Sequence, residues 1–213
     1  MAKLDLTAAA DLLRDLRDRR LPPEIVHTSI DIRGAQATML KDGTLLIPGT
    51  NEIMDWFDFN LQIGPVPMDG HGFEVVPGDS GALYHAGFLE HAQLLYPFAK
   101  ALRPKFILGH SLGAASAQII GMSLRIPTIA FASPKTTKSR GQLPGEGWVV
   151  NLCRVDDTVC HMPPRELGFR NLGSVYWMAP DVLDMDEDHS IENYHVLLKL
   201  KRIRDRVPIA WPR

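Results

Sequence analysis

The sequence predicts an α/β fold: a mainly parallel central sheet with helices on both faces and an antiparallel hairpin towards the N-terminal end. Three observations carry this reading. From residue 80 onwards, segments of helical periodicity alternate with short apolar runs of strand length, the pattern of a parallel sheet with crossover helices. Lys105–Gly109, Thr128–Ala132 and Trp148–Val155 are the clearest of those runs and read as buried strands. Ahead of them, Ala35–Leu40 and Thr44–Ile47 flank Lys41-Asp42-Gly43, an Asp-Gly hairpin signal.

Each further element has a local cause. Leu12, Leu13 and Leu16 fall at helical spacing within Leu4–Arg19; Asp5 or Thr7 supplies a cap, and Leu21-Pro22-Pro23 ends the helix. Asn51–Asn60 is apolar and acidic by turns, and short helix and loop both stay open. Residues 62–79 are broken by Gly and Pro and read as irregular. Asp79 or Ser80 opens a long helix that runs to Leu102, with Leu83, Phe88, Ala92, Leu95 and Phe98 on or near one stripe; Arg103-Pro104 stops it. Ser111–Leu124, rich in Ala, is a second helix, Ser174–Met178 a candidate strand and Ser190–Lys201 the last helix.

Composition excludes several classes. The 213 residues suit one domain, 1–213. Such a chain buries roughly 70% of its unfolded surface and needs no disulfide or metal staple. Apolar residues make up 45% and charged residues 23%, which is globular rather than disordered composition. Lys plus Arg number 23 against 25 Asp plus Glu, so no basic excess exists to neutralise nucleic-acid phosphates. No apolar run reaches the ~20 residues of a membrane span. Met1–Arg20 spreads its charges and has no continuous apolar stretch, so it is not a secretory signal, and the expectation is a cytoplasmic protein. Cys153 and Cys160 fit no zinc or redox spacing and read as buried thiols.

Gly109-His110-Ser111-Leu112-Gly113 fits G-x-S-x-G, the nucleophile elbow of an α/β-hydrolase-like fold. A serine on a sharp strand-to-helix turn is strained, and its neighbours must nearly vanish for strand and helix to approach. The following helix then points its N-terminus at the hydroxyl, and the Leu112 amide is placed to donate to an oxyanion. Phe106-Ile107-Leu108 leads in and Ala114-Ala115-Ser116-Ala117 leads out, the strand–turn–helix that the motif requires. A glycine-rich turn whose serine merely caps the helix is the competing reading.

Such a serine needs a base, and the base a carboxylate. In an elbow enzyme they follow in the order Ser, Asp or Glu, His. Of the downstream histidines, His161 lies in the loop expected for the acid and His195 lies inside the last helix. His189 stands at that helix's entrance, a junction that reaches the top of the sheet, and is the best base. Asp156 and Asp157, after the run ending at Val155, are both candidates for the acid. Asp181, Asp184, Asp186 and Asp188 read as a solvated acidic loop; they lack the calcium-loop glycine pattern.

These residues resemble the class 3, fungal-type lipase family. Gly109–Gly113 has the family's form of the elbow. Ile47-Pro48-Gly49-Thr50, with Asp55-Trp56 and Asn60-Leu61 after it, is similar to the family's F-R-G-T/S segment and its trailing D-W/N-W. His85-Ala86-Gly87-Phe88 resembles H-x-G-F, Phe131–Lys135 resembles F-G-x-P-R, and Asp157–Pro164 resembles D-x-V-P-x-L-P-P. His189 with Tyr194 resembles the family's C-terminal His and Tyr/Phe pair. Pro48, Ala132 and Cys160 depart from the family's Arg, Gly and Pro.

The resemblance, covering roughly residues 35–200, implies a serine carboxylester hydrolase that cleaves acylglycerol-type esters without metal or organic cofactor; a short-chain esterase, phospholipase or acyltransferase on the same three residues, or a non-catalytic acyl-binding relative, is the alternative. It selects Asp157 over Asp156 as the acid beside Ser111 and His189, and makes Thr50 the oxyanion donor that joins Leu112. It implies a lid in the segment after Thr50, where Ile53, Met54, Trp56 and Phe57 would bind acyl chains; a core role for them stays open. The partner is then a small-molecule or lipid ester. Lys199–Arg206, with five Lys or Arg, reads as a solvated helix end or as a transient contact to a lipid interface.

Overall fold

A computed structural model describes residues 2–49, 73–183 and 189–212. In chain order the elements are β1 (Leu4–Asp5), α1 (Leu6–Arg17), β2 (Val26–Ile32), β3 (Ala35–Leu40), β4 (Thr44–Ile47), β5 (Val75–Pro77), β6 (Leu83–His85), α2 (Ala86–Leu102) and β7 (Phe106–His110). There follow α3 (Leu112–Leu124), β8 (Thr128–Phe131), β9 (Val149–Arg154), α4 (Thr158–His161), β10 (Ser174–Met178), α5 (Ile191–Lys199), α6 (Lys201–Arg204) and β11 (Ala210–Trp211).

Among the described residues, seven strands form the central sheet in the order β10-β9-β8-β7-β4-β3-β2. The pairs from β10 to β4 are parallel; β4–β3 and β3–β2 are antiparallel. The fold class read from the sequence is therefore the observed one. Consecutive strand residues are apolar because both faces are covered. In β7, Ile107 packs with α2 and α3 on one side, and Leu108 packs with α1 and α5 on the other. Leu45 and Leu46 of β4 divide the same way.

Glycines set the closest approaches. Asp42-Gly43 turns the β3–β4 hairpin, Gly43 at φ 98° and the Asp42 carboxylate accepting from the Thr44 amide at 2.8 Å. Where α3 lies on the sheet, a Cβ on Gly121 would sit 1.8 Å from Thr128 Oγ1, so only glycine fits. Asp5 caps α1 by accepting from the amides of Thr7 and Ala8 at 2.8 and 3.0 Å.

Several sequence expectations need correction, among them the last helix, which ends at Lys199 rather than Lys201 and is followed by the separate helix α6. The long helix does not begin at residue 79 or 80: Leu83–His85 is a strand paired antiparallel with Val75–Pro77, and α2 starts at Ala86. Gly78-Asp79-Ser80-Gly81 forms the intervening turn, with the Gly81 amide donating to Gly78 O at 2.8 Å and Gly81 at φ 78°. Leu83, included in the helical stripe, is exposed, while Tyr84 is buried, the alternation of a strand. The sequence reading also left residues 26–32 unassigned. They form edge strand β2, alternating half-buried and exposed positions. The helix expected over Leu4–Arg19 is shorter, Leu6–Arg17, because Leu4–Asp5 pairs with Ala210–Trp211. Among the described residues, no helix is long and apolar enough to cross a membrane.

Candidate active site

The parallel strands end on one edge of the sheet, and the chain turns sharply at the end of β7. Ser111 has φ 58° and ψ −124°, a conformation that L side chains seldom adopt. It is held there by its own backbone: its amide donates to Phe131 O at 3.1 Å, and its carbonyl accepts from Ala114 and Ala115 at 2.9 and 3.2 Å. Sterics then demand the surrounding glycines. A Cβ on Gly109 would lie 2.4 Å from Gly113 O, one on Gly113 2.1 Å from Ile47 O, and one on Gly49 2.7 Å from Ser111 Cβ. The end of β4, the end of β7 and the start of α3 thus meet at Ser111. Removing the strain has a measurable consequence. Ser111→Gly should be more stable than Ser111→Ala by about 1 kcal/mol, read as a melting-temperature difference of about 2–4 °C.

Asp157, Ser111 and His189 come from three distant segments and form one hydrogen-bonded line. His189 Nδ1 lies 3.1 Å from both Asp157 carboxylate oxygens, and His189 Nε2 lies 2.6 Å from Ser111 Oγ. A carboxylate only accepts, so Nδ1 carries the hydrogen. Nε2 then offers a lone pair, and the Ser111 hydroxyl donates to it. This is the tautomer a general base requires.

Asp157 is fixed by three partners. Besides His189, it accepts from the Val159 amide at 3.0 Å as the N-cap of α4, and from the Tyr194 hydroxyl at 2.7 Å. Burial alone would raise its pKa; the hydrogen bond and charge of His189, with the Tyr194 hydroxyl, outweigh burial and hold it below the usual carboxylate value. The Tyr194 hydrogen is committed to Asp157. The Tyr194 oxygen therefore accepts from the Arg154 amide at 3.1 Å and from the Cys160 thiol at 3.2 Å. Cys153 and Cys160 are buried free thiols, as expected. Lys135 Nζ donates to Cys160 O at 3.1 Å and its amide to Met162 O at 2.8 Å, which fastens the turn bearing Asp157.

The neighbouring candidates have other partners. Asp156 takes a two-pronged bond from Arg154, Nε to Oδ1 and Nη2 to Oδ2, each 3.0 Å. His161 stacks on Trp177 with ring centroids 5.1 Å apart. His195 faces α1, with Asp11 Oδ1 2.9 Å from its Nε2. Leu112 is the first residue of α3, so its amide has no acceptor within the helix and lies beside Ser111. Thr50, Ile53, Met54, Trp56 and Phe57, and the lid expected around them, lie outside the described residues, as do Asp184, Asp186 and Asp188. Of the other motif residues, His85 lies within 4.4–6.2 Å, centroid to centroid, of the rings of Phe73, Phe88 and Phe169. Ala132 has φ 51°, a left-handed conformation that explains why the family resemblance expects glycine there.

One contributor carried no sequence signal beyond its place in the elbow. His110 Nε2 donates to the His189 carbonyl at 2.9 Å, and the two rings lie 5.1 Å apart. Burial, then the neighbouring His189, push the His110 pKa down to about 3. His91, whose Nδ1 lies 2.6 Å from Ser116 Oγ, is pushed by burial down to about 4. The sign follows directly. The unfolded chain takes up protons at these residues near pH 6.5 and the folded chain does not. Stability is therefore full above pH 6.5 and falls as the pH drops towards 4, by up to about 1.4 kcal/mol per pH unit for each such histidine. Urea midpoints across that range should show the fall, and His91→Gln should flatten it.

No protein-family model and no curated protein matches the chain. Solved structures do. The Rhizomucor miehei lipase in its native propeptide complex has a TM-score of 0.58 and 18% identity, over 81% of this chain and 67% of that one. Lipase II from Rhizopus niveus has a TM-score of 0.55 and 21% identity, over 71% and 65%. A triacylglycerol lipase whose catalytic centre is described as a serine protease triad has a TM-score of 0.50 and 19% identity, over 72% and 66%. The fold is accordingly an α/β-hydrolase fold, in the form that fungal triacylglycerol lipases share. The chain spans about two thirds of the length of these solved lipases.

Proposed function

We propose that this protein is a serine carboxylester hydrolase of lipase or esterase type, acting on acylglycerol-type esters through an acyl-enzyme on Ser111. One observation carries the reading: the hydrogen-bonded line Ser111–His189–Asp157, with spacings of 2.6 and 3.1 Å, on a strained strand-to-helix turn. His189 accepts the Ser111 proton as Oγ attacks the acyl carbonyl, then returns it to the leaving alcohol. Asp157 keeps the proton of the resting imidazole on Nδ1 and stabilises the imidazolium. The Leu112 amide, with Thr50 as its partner, receives the oxyanion; a single such donor contributes on the order of 3 kcal/mol to the transition state. Water then repeats the sequence on the acyl-enzyme. Nothing in this route draws on a metal or organic cofactor.

The fungal lipase fold supports acyl esters of lipids as the substrate class, and contact with a lipid interface as its setting. Turnover of p-nitrophenyl esters from acetate to palmitate, with and without an oil–water interface, tests this. The expected result is cleavage that extends to long chains and rises at the interface. Cleavage confined to acetate and butyrate would instead assign a short-chain esterase, and absence of turnover would assign a non-catalytic acyl-binding protein.

A further inference from the structure

We propose that the N-terminal helix α1 is a clamp that sets the position of His189, with Arg17 as its positioning residue. This rests on the reading of Ser111, His189 and Asp157 as the reacting line. Helix α5 carries two supports of that line: His189 directly precedes its N-cap Ser190, and Tyr194 on its second turn donates to Asp157. Tyr194 ties α5 to the end of β9 through the Arg154 amide and to Asp157, and the rest of the helix is placed by what it packs against. Beneath it lies α1, whose Leu6, Ala9, Ala10 and Leu13 share one apolar cluster with Ile191, Tyr194 and Leu198.

A polar seam runs alongside. Asp11, Arg14 and Arg17 recur every three residues and so occupy one face of α1. Arg14 Nη1 donates to His195 Nδ1 at 3.0 Å and lies 3.6 Å from Glu192 Oε2. An arginine only donates, so His195 Nδ1 is a lone pair and its hydrogen sits on Nε2, an atom 2.9 Å from Asp11 Oδ1. One turn nearer the site, Arg17 Nη1 donates to Ser190 Oγ at 2.7 Å, while Arg17 Nε donates to Asp18 at 2.7 Å and so fixes the guanidinium plane. Residues 189–190 are thus gripped from two sides, by His110 at the His189 carbonyl and by Arg17 at the Ser190 hydroxyl. A shift of about 1 Å at a reacting group costs far more in rate than an exposed hydrogen bond contributes to stability. Arg17 is half-exposed, so the two effects separate.

The experiment is a double-mutant cycle on the full chain with Arg17→Met and Ser190→Ala, with Arg17→Lys alongside. The readouts are kcat and KM on p-nitrophenyl butyrate, melting temperature, and the downfield proton resonance of His189 Nδ1–H. Arg17→Met should lower kcat about tenfold with KM unchanged and melting temperature within about 2 °C. The downfield resonance should broaden, and lysine should restore most of the rate. The double variant should be no slower than the slower single one. Parental kcat in Arg17→Met, multiplicative losses in the double variant, or a loss that follows melting temperature would each overturn the clamp. An inactive parent protein would overturn the ester-hydrolase reading instead. The proton resonance would still decide the clamp: broadening in Arg17→Met supports it, and an unchanged signal refutes it.

Discussion

Ser111→Ala should cut ester turnover by a factor on the order of 10^6, while melting temperature stays within about 2 °C of the parent. The rate falls because the only atom removed is the attacking oxygen. The residual rate comes from the oxyanion donors and from substrate binding, which the substitution leaves in place. The fold survives because the turn is held by the backbone of residue 111: its amide on Phe131 and its carbonyl under Ala114 and Ala115. Alanine retains those bonds and the same backbone strain. A parallel assay of circular dichroism and p-nitrophenyl ester cleavage checks both halves of the expectation. Turnover near the parent level in the alanine variant would remove the elbow serine from the chemistry.

Asp157→Asn should lower kcat by a factor on the order of 10^4. Two lone-pair oxygens now serve the His189 ring, the Val159 amide and the Tyr194 hydroxyl. Asparagine has one acceptor oxygen, and its NH2 group turned towards His189 favours the opposite tautomer. Nε2 would then carry the hydrogen and could not accept one from Ser111. Asp156→Asn is the control on the adjacent residue. It breaks the buried fork with Arg154, whose side chain is 5% exposed, and should cost about 3 kcal/mol of stability. Turnover per folded molecule should stay within about threefold. Urea denaturation and kcat measured on the same preparations separate the two outcomes; the reverse pattern would show that Asp156 is the acid.

These two aspartates also show where sequence reasoning stopped. The elbow was legible because every constraint on it is local: glycines two residues either side of Ser111, an apolar strand before and small residues after. The choice between Asp156 and Asp157 rested on family resemblance, since both follow one strand. A physical signal was present nonetheless. Arg154 stands two residues before Asp156 and, across the turn at 155–156, its guanidinium forks onto that carboxylate, which leaves Asp157 for His189. His161 and His195 could be set apart from His189 by their place in the chain, but what they do instead was not legible, because their partners, Trp177 and Asp11, are distant in sequence. The same non-locality hid the contact between α1 and α5 and the second role of His110. The central strands were legible as buried runs. Edge strand β2 was not, since its half-exposed face dilutes the apolar signal, and the β5–β6 pair was overridden by a helical stripe that shared Leu83.

The most direct test of the central claim is chemical. A fluorophosphonate added to the folded protein should leave one adduct, located by peptide mass spectrometry on Ser111. Labelling should slow strongly in His189→Ala and vanish in Ser111→Ala. An adduct on any other residue, or none on a folded protein, would contradict the account.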